Sequence, residues 1–309
     1  MKALVVGAAG FIGSHLTDEL LNRGWQVTAI DVFSRKEAKN LEHIPESSDF
    51  EYRKIDATDK EATEKVMKGC DTVFHMAANA DVLAGSKDPT MDISSTLMTT
   101  VSILEAMRKT GVKNIFFASS SAIYGDTRQT VLKEDMRGAP ISYYGASKLA
   151  SEELIGSYAY MDSFNALIFR FPNVVGTRLT HGVILDLAGK LKKNARELEI
   201  LGDGKQRKQY VHVSDLTKAI VDFSEKIEPG MNIYNISTDS FTTVNEIADM
   251  VCARFGLKDV KYVYSGGNVG WKGDVPMFAY DISKAKAKGW EFNYSSNESV
   301  RKTIDDLTI

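Results

Sequence analysis

Short apolar runs alternate with amphipathic stretches along the first half of the chain. The runs are rich in Val, Ile and Phe and almost continuously apolar, which is typical of strands buried on both faces of a parallel sheet. Between the first two runs, Ile12, Leu16 and Leu20 recur at helical spacing. A helix is therefore expected over residues 12–23, with Gly24 placed to end it. The predicted strands are residues 3–7, 26–31, 50–56, 71–76, 114–119 and 166–171.

Such alternation predicts an α/β fold, a doubly wound parallel sheet with right-handed crossovers. After Pro172 the pattern loosens, and helical stretches at 185–196 and 244–255 mix with short strands. The sequence thus predicts a sheet domain over residues 1–172 and a smaller α/β C-terminal domain over residues 173–309. The segment 210–237 again has the pattern strand, helix, strand, so we expect it to return to the main sheet.

Composition narrows the class of protein. The 309 residues carry 38 basic and 41 acidic side chains, a net charge of −3, which argues against nucleic acid or an anionic membrane as a partner. Cys70 and Cys252 are too few for a disulfide framework and suit a reducing cytoplasm. No stretch reaches the roughly 18 apolar residues of a membrane span. We expect a soluble, cytoplasmic protein, and the scattered histidines predict no metal site.

A glycine-rich turn follows the first predicted strand. Residues 7–13 read GAAGFIG and open the first predicted helix, with Gly7, Gly10 and Gly13 as the glycines. Glycines let the backbone turn tightly and approach a pyrophosphate, whose charge is met by the free N–H groups of a helix N-terminus. Within a strand–helix–strand unit, this pattern is typical of a Rossmann dinucleotide-binding domain.

Asp31 ends the second predicted strand, roughly 20 residues beyond the turn, where a carboxylate accepts from the adenosine ribose hydroxyls. It would repel a 2′-phosphate, so the sequence favours NAD over NADP. Two alternatives stay open. The turn and Asp31 could be purely structural, and Arg35 and Lys36 just beyond could receive a phosphate.

Tyr144 and Lys148 stand four residues apart, on one face of a predicted helix. Tyr280 and Lys284 share this spacing, and we take that second pair as coincidence. The first pair follows a strand that ends in three serines, residues 119–121, at the sheet edge where ligands bind. A phenol has a pKa of about 10, and an adjacent ammonium and a positive nicotinamide would lower it and make the phenol a general base.

These motifs make the chain similar to the extended short-chain dehydrogenase/reductase superfamily and, within it, to the UDP-galactose (UDP-glucose) 4-epimerases. The resemblance covers nearly the whole chain. Besides the glycine turn it includes VFHMAA at 73–78, IFFASSSAIYGD at 115–126, YGASK at 144–148, RFPNVVG at 170–176, LGDGKQRKQYVHV at 201–213 and Gly273-Asp274.

The resemblance implies a role for each matching position. Tyr144 would be the base, Lys148 its activator and Ser120 the hydroxyl that binds the reacting oxygen. The implied NAD-binding residues are Gly7, Gly10, Phe11, Ile12, Gly13, Asp31, Asp56, Ala57, Met76, Ala77, Ala78, Tyr144, Lys148 and Phe171. The implied UDP-sugar-binding residues are Ser120, Ser121, Asn173, His181, Val183, Gln206, Arg207, Lys208, Asp274 and Phe278. It also implies a homodimer built through two helices of each subunit.

The chain departs from the family pattern in three places. The helix motif N-x-x-G-T is TLMTT at 96–100, the usual Arg-Asp before the YVHV strand is Lys208-Gln209, and an expected Arg is Trp271. Arg207 and Lys272 could supply the charge that a diphosphate needs.

The reaction expected from the resemblance is epimerisation at sugar carbon C4. Sugar dehydratases need an acid pair at the positions of Ser121 and Ala122, and the related decarboxylases carry a Glu at the second, so neither reaction has its acid here. The resemblance implies that Phe278 borders the sugar pocket, where its bulk would favour UDP-glucose and UDP-galactose over N-acetylated sugars; the alternative is that Phe278 is simply a core residue. Epimerases of other UDP-sugars, a dehydrogenase similar to L-threonine dehydrogenase and a non-catalytic dinucleotide sensor remain as alternatives.

Overall fold

The structure is a computed structural model that describes residues 1–79, 82–127, 131–267 and 279–307. The strands, numbered in chain order, are β1 (Lys2–Val6), β2 (Gln26–Asp31), β3 (Phe50–Lys54), β4 (Thr72–His75), β5 (Asn114–Ala118), β6 (Val131–Leu132), β7 (Asn165–Arg170), β8 (Asn173–Val175), β9 (Glu197–Ile200), β10 (Arg207–Lys208), β11 (Tyr210–His212), β12 (Gly230–Asn235), β13 (Thr242–Thr243), β14 (Lys261–Tyr264) and β15 (Ala279–Tyr280).

The helices lie between them and connect most of the parallel strands. They are α1 (Phe11–Asn22), α2 (Lys60–Met67), α3 (Val82–Lys87), α4 (Pro89–Asp92), α5 (Thr99–Thr110), α6 (Tyr143–Met161), α7 (Val183–Lys193), α8 (Val213–Ser224), α9 (Val244–Arg254), α10 (Ser283–Ala287) and α11 (Ser296–Asp305). None of the helices in the described ranges is long and apolar enough to cross a membrane.

The central sheet has seven strands in the order β12-β7-β5-β4-β1-β2-β3. All pairings among β3, β2, β1, β4, β5 and β7 are parallel. The chain moves outward from β1 through β2 to β3, then crosses back to β4 and continues to β5 and β7. The predicted doubly wound sheet is therefore confirmed, and its direction reverses between β1 and β4, where such sheets bind ligands.

Burial explains why the predicted strands formed. β1, β4, β5 and β7 are buried along almost their whole length, as their apolar sequences require. β3 instead alternates buried and exposed residues, because it is the edge strand of the sheet. Gly24 follows α1 with φ of +73°, a conformation that favours glycine, and its N–H donates to the carbonyl of Leu21.

The chain divides into two compact units. The sheet unit comprises Met1–Gly125, Arg137–Arg170 and Thr217–Tyr234, and the second unit comprises Asp126–Met136, Phe171–Leu216 and Asn235–Ile309. The second unit has its own core, in which α7, α9 and α11 pack on β9 and β11 around Leu187, Leu198 and Val251.

These units differ from the predicted ranges 1–172 and 173–309. Within the predicted returning segment 210–237, β12 joins the seven-stranded sheet, whereas β11 hydrogen-bonds to β8 in the second unit. Likewise, β6 pairs with β15, so residues 126–136 belong to the second unit. Both differences from the predicted ranges result from pairs of strands only two or three residues long, β8 with β11 and β6 with β15.

Candidate active site

The glycine turn lies at the reversal point of the sheet. Gly7 follows β1 with φ of +82°, and a Cβ atom there would lie 2.7 Å from the backbone nitrogen of Ala77, directly after β4. A Cβ atom on Gly13 would overlap the carbonyl oxygen of Gly7. Glycine is thus required at both positions so that α1 and the two strand ends can approach each other.

The N-terminus of α1 suits a bound anion. Gly10 is its N-cap and supplies no side chain, and the first turn, which begins with Phe11 and Ile12, carries no acidic residue. Its N–H groups and the positive end of the helix dipole therefore point to a position that a pyrophosphate could occupy. The residues of this turn fit a dinucleotide.

Asp31 joins the end of β2 to the same turn. One carboxylate oxygen accepts from the backbone N–H of Ala9 at 2.9 Å, and the other accepts from Val32 at 2.8 Å. Burial raises the pKa of Asp31, and these backbone hydrogen bonds act in the opposite direction. Because each carboxylate oxygen can accept a second hydrogen bond, the structural role and the predicted ribose contact are compatible.

Arg35, the predicted alternative phosphate ligand, is engaged elsewhere. Its guanidinium donates to the carbonyls of Leu41 and Ile44 and lies 5.6 Å from the ring centres of Phe50 and Tyr52. A guanidinium held in this way cannot turn to a 2′-phosphate without losing those contacts. This geometry supports a preference for NAD.

The remaining predicted cofactor residues of the sheet unit follow the carboxyl ends of β3 and β4. Asp56 is exposed and accepts from the backbone N–H and the hydroxyl of Thr58, and Ala57 beside it is buried. Met76, Ala77 and Ala78 follow β4 directly and are half-buried. All of them share the sheet edge with the glycine turn.

The predicted catalytic side chains are brought together at the same edge. Tyr144 lies in the first turn of α6 and shares a hydrogen bond with Ser120, two residues beyond β5. One helical turn further along, Lys148 is buried, its Nζ atom donates to the carbonyl of Ala118 at 2.6 Å, and it lies 5.8 Å from the Tyr144 ring centre. The spacing of four residues therefore does place both side chains on one face of a helix.

A close approach between backbones fixes this arrangement. A Cβ atom on Gly145 would overlap the carbonyl oxygen of Ala122 in the short 3-10 turn Ser121–Ile123. The start of α6 therefore packs directly on the segment that carries Ser120 and Ser121. Ser142 caps the helix, accepting from the N–H of Gly145 at 3.1 Å.

Burial dominates the electrostatics of the pair. It raises the pKa of Tyr144 to about 12, which the hydrogen bond with Ser120 opposes and the carboxyl of Asp92 reinforces. It lowers the pKa of Lys148 to about 7, against the influence of Glu152 and Asp92. The net effect of the protein groups is therefore to raise the pKa of Tyr144, contrary to the expectation for the adjacent ammonium. A positive nicotinamide ring, when bound, would act in the opposite direction.

Three buried charged residues near this pair were not predicted. Glu152 and Arg170 form an ion pair of 2.6 Å, and Asp92 accepts from the side-chain amide of Asn79 at 3.1 Å. Glu152 could have been found from its spacing, since it stands one further helical turn beyond Lys148. The sequence around Asp92 carries no comparable signal.

Several side chains weighed in the sequence have structural roles. His75 is buried in β4 with one ring nitrogen 2.9 Å from the hydroxyl of Thr100, and burial keeps its pKa well below its usual value. Thr100 belongs to the TLMTT departure and also donates to the carbonyl of Thr96 at 2.7 Å. Tyr280 lies in β15 and Lys284 in α10, so that second pair does not share a helix.

In the second unit, predicted substrate residues cluster along β8 and β10. Asn173 is exposed at the start of β8, in register with Tyr210, two residues beyond Lys208. Gln206 is buried, and its amide nitrogen donates to the carbonyl of Leu201 at 3.0 Å while its oxygen Oε1 has no hydrogen-bond partner. A buried amide oxygen without a partner is unfavourable, so this position suits a ligand donor.

The structure also describes the predicted substrate residues Arg207, in β10, His181 and Val183, and the predicted cofactor residue Phe171. The Arg207 guanidinium lies 5.1 Å over the ring of Phe241. Phe171 is buried directly after β7, and exposed His181 and half-buried Val183 flank the start of α7. The following residues of the Gly-Asp motif and its surroundings lie outside the described ranges: Trp271, Lys272, Gly273, Asp274 and Phe278.

Comparison with known proteins supports the class of enzyme expected from the sequence. Residues 3–237 match the model of the NAD dependent epimerase/dehydratase family. A putative UDP-glucose 4-epimerase of Methanocaldococcus jannaschii is 32% identical over 98% of this chain and 97% of its own length.

Two solved structures extend the likeness to the whole fold. The UDP-glucose 4-epimerase of Thermotoga maritima, solved with UDP-glucose, has a TM-score of 0.87 and 30% identity. The UDP-glucuronic acid 4-epimerase of Bacillus cereus, solved with UDP-glucuronic acid and NAD, has a TM-score of 0.88 and 27% identity. In each case the match covers 99% of this chain and 98% of the other.

A doubly wound sheet with a dinucleotide turn and a Tyr-Lys-Ser group defines a short-chain dehydrogenase/reductase with an NAD cofactor. This chain belongs to the NAD dependent epimerase/dehydratase family and, within it, to the nucleotide-sugar 4-epimerases.

Proposed function

We propose that this enzyme interconverts UDP-glucose and UDP-galactose by transient oxidation at sugar carbon C4. The observation that carries the proposal is the segment packed against the start of α6. There Ser120 is hydrogen-bonded to Tyr144, and the next two residues, Ser121 and Ala122, supply neither a carboxylic acid nor its anion. A segment with no carboxylic acid at these two positions suits simple epimerisation rather than loss of water or carbon dioxide.

Tyr144 acts as the general base in this proposal. Its Oη atom takes the proton of the C4 hydroxyl, and the Ser120 hydroxyl donates a hydrogen bond to the same sugar oxygen as the proton leaves. When bound, NAD accepts the C4 hydride and later returns it, and its positive nicotinamide ring favours the phenolate. After the 4-keto sugar has turned its other face towards the cofactor, Tyr144 returns the proton to the oxygen on C4.

Lys148 keeps its neighbours in place for this proton transfer. Its Nζ atom is held at 2.6 Å by the carbonyl of Ala118, so the ammonium cannot move away from the phenol on the preceding turn of α6. In its charged form it favours the phenolate over the phenol. We propose that the same residue also contacts bound NAD, as the family resemblance implies.

The nucleotide part of the substrate is assigned to the second unit. Gln206 has the buried acceptor described above, Asn173 lies in β8, and Lys208 lies in β10. We propose that these residues bind the UDP group, with Arg207, His181 and Val183 as further contacts. Replacing Gln206 by Leu should raise KM for UDP-sugars more than it lowers kcat, because its proposed contact is with the non-reacting part of the substrate.

We also propose that the enzyme is a homodimer through α5 and α6, which pack against each other. Large apolar side chains stay exposed on or beside these helices, with Tyr160 87%, Met161 76% and Met98 46% exposed. Sedimentation equilibrium of the wild type and of a Tyr160→Glu, Met161→Glu variant tests this. The wild type should have the mass of a dimer and the variant a lower mass, and the same mass for the two proteins would contradict the proposal.

The central experiment measures the reaction without added cofactor. Because oxidation and reduction cancel, purified protein that carries NAD should convert UDP-glucose to UDP-galactose with none supplied. UDP-glucuronate is the second candidate, since the Bacillus cereus neighbour acts on that sugar, and the UDP-N-acetylhexosamines are a third. Equal kcat/KM for the hexose and N-acetylated pairs, or a higher value for UDP-glucuronate, would overturn the proposed sugar.

The alternative to epimerisation is net oxidation of a substrate by a dehydrogenase. A dehydrogenase similar to L-threonine dehydrogenase would accumulate NADH with L-threonine and need fresh NAD for each turnover. Epimerisation accumulates none. Following NADH absorbance with each substrate in parallel separates the two reactions.

A further inference from the structure

One face of α6 presents three polar side chains to three consecutive residues at the end of β5. Tyr144, Lys148 and Glu152 are spaced four residues apart, so they lie one above another along the helix. Tyr144 is hydrogen-bonded to Ser120, Lys148 donates to the carbonyl of Ala118, and the hydroxyl of Ser119 donates to Glu152. The proposed mechanism uses the first two of these contacts and leaves the third without a role.

Glu152 is also paired with Arg170, the last residue of β7. The Arg170 Nη2 atom donates to Oε2 of Glu152 at 2.6 Å, and its Nε atom donates to the two carboxylate oxygens at 3.1 and 3.2 Å. The Nη1 atom of Arg170 donates to the hydroxyl of Tyr124 at 3.0 Å. Both charged side chains are almost completely buried, with Glu152 1% and Arg170 5% exposed.

The pair cancels its own charge in a place where charge is poorly screened. Glu152 acts electrostatically on Lys148 one turn before it, as does Asp92 at the end of α4. His75 in β4 also interacts electrostatically with Lys148, and burial keeps the pKa of His75 well below its usual value. Removing one member of the pair would leave the opposite charge acting on Lys148 and Tyr144 with little solvent to weaken it.

We propose that Glu152 and Arg170 are positioning residues for the epimerisation. Glu152 holds Ser119 and thereby the orientation of Ser120, and Arg170 offsets the negative charge of Glu152 beside the Tyr144–Lys148 pair. The inference rests on the proposed role of Tyr144 as the base. It predicts that the charge of the pair, and not only its contribution to folding, sets the pH at which Tyr144 ionises.

The test compares four NAD-loaded proteins: wild type, Glu152→Gln, Arg170→Met and the double variant. In each, the ultraviolet absorbance of ionised tyrosine is titrated against pH and corrected with the same protein carrying Tyr144→Phe. Glu152→Gln leaves a positive charge and should lower the ionisation pH of Tyr144 by about one unit. Arg170→Met leaves a negative charge and should raise it by about as much. The double variant should return close to the wild-type value.

Ser119→Ala is the matched control, because it removes the hydrogen bond to Glu152 and changes no charge. It should lower kcat without moving the ionisation pH of Tyr144. If Glu152→Gln does not fold because Arg170 is left unpaired, Arg170→Met and the double variant still give a shift and its reversal. Three outcomes would overturn the proposal. The two single variants could shift the ionisation pH of Tyr144 in the same direction, or a folded Arg170→Met protein could show no shift. The third is a double variant whose ionisation pH does not return to the wild-type value.

The tyrosine titration tests the positioning role of Glu152 and Arg170 independently of which UDP-sugar is the substrate. The tyrosine titration contains no UDP-sugar, so an enzyme that prefers another substrate would still show the opposed shifts. Conversely, a Tyr144→Phe enzyme that keeps its activity would remove Tyr144 from the mechanism whatever the titration shows. The two failures are thus distinguishable.

Discussion

The Nζ atom of Lys148 donates to the carbonyl oxygen of Ala118 at 2.6 Å, and this hydrogen bond ties α6 to the last residue of β5. Ser120 lies two residues further along the same backbone and is hydrogen-bonded to Tyr144. The lysine therefore does more than supply charge, because it fixes the distance between the helix that carries the base and the strand end that carries the serine. The consequences can be tested residue by residue.

Tyr144→Phe removes the proposed base and leaves the rest of α6 unchanged. Turnover should fall by roughly 10²–10⁴-fold, the usual loss when one general base is removed. The measurement is kcat for the UDP-glucose to UDP-galactose conversion, with the bound NAD content as a check that the cofactor site is intact. Turnover within about tenfold of wild type would exclude Tyr144 as the base. Tyr143→Phe, on the exposed neighbouring residue, is the matched control and should be active.

Lys148 should make the stability of the protein increase with pH above neutrality. Its pKa is about 7 in the folded protein and about 10.4 in an unfolded chain, so the unfolded chain binds more protons between these values. The free energy of unfolding should therefore rise by about 2 kcal/mol from about pH 7 to about pH 9 on account of this residue. Urea denaturation of the wild type and of Lys148→Met at both pH values measures it.

The control for that prediction is Lys109→Met, which removes an exposed lysine paired with Glu64 on the surface. It should leave the pH dependence of stability as in the wild type. The expectation fails when Lys148→Met shows the same rise with pH as the wild-type protein, since Lys148 would then titrate as an ordinary exposed lysine.

Asp31 should select NAD over NADP. Replacing Asp31 by Asn removes the charge that repels a 2′-phosphate and keeps an acceptor for the N–H of Ala9, so the turn stays intact. We expect weaker NAD binding and stronger NADP binding, measured by calorimetry on protein freed of cofactor. Arg35→Ala should not weaken NADP binding, because its guanidinium is engaged by the carbonyls of Leu41 and Ile44. Wild-type protein that binds both dinucleotides equally would show that Asp31 does not discriminate.

The sheet could be predicted because local sequence determines most of it. A strand buried on both faces must be apolar throughout, so β1, β4, β5 and β7 are visible as apolar runs. The pairing of Tyr144 with Lys148 follows from helical spacing, and the glycine turn from its position between a strand and a helix. Each of these features lies within about 20 residues of sequence.

What could not be predicted depends on contacts between distant segments. Glu152 becomes a buried ion pair only because β7 places Arg170 beside α6. Asp92 is buried by tertiary packing and has an ordinary polar sequence around it. The division into units turns on the two-residue strand β6 and its partner β15, about 150 residues away in sequence, and strands this short leave no periodic pattern.

The glycines of the cofactor turn should separate stability from cofactor binding. A Cβ atom on Gly13 would overlap the backbone carbonyl of Gly7, so Gly13→Ala must shift α1 relative to β1 and should lower the melting temperature. A Cβ atom on Gly10 would lie 3.3 Å from the same oxygen, a tight contact that small adjustments relieve. Gly10→Ala should therefore keep most of its stability, yet bind NAD poorly, because the added methyl group would lie where we propose that the pyrophosphate approaches the backbone.

Gly189→Ala provides the reference for both glycine variants. Gly189 lies inside α7 in the second unit, and nothing stands within 4 Å of an added Cβ atom. Alanine there should stabilise the helix by about 0.5–1 kcal/mol and leave NAD binding unchanged. The measurements are the melting temperature of cofactor-free protein and the dissociation constant of NAD. A Gly13→Ala protein as stable as Gly189→Ala would mean that α1 does not pack against the end of β1 as closely as the structure shows. A Gly10→Ala protein with wild-type NAD affinity would place the pyrophosphate elsewhere.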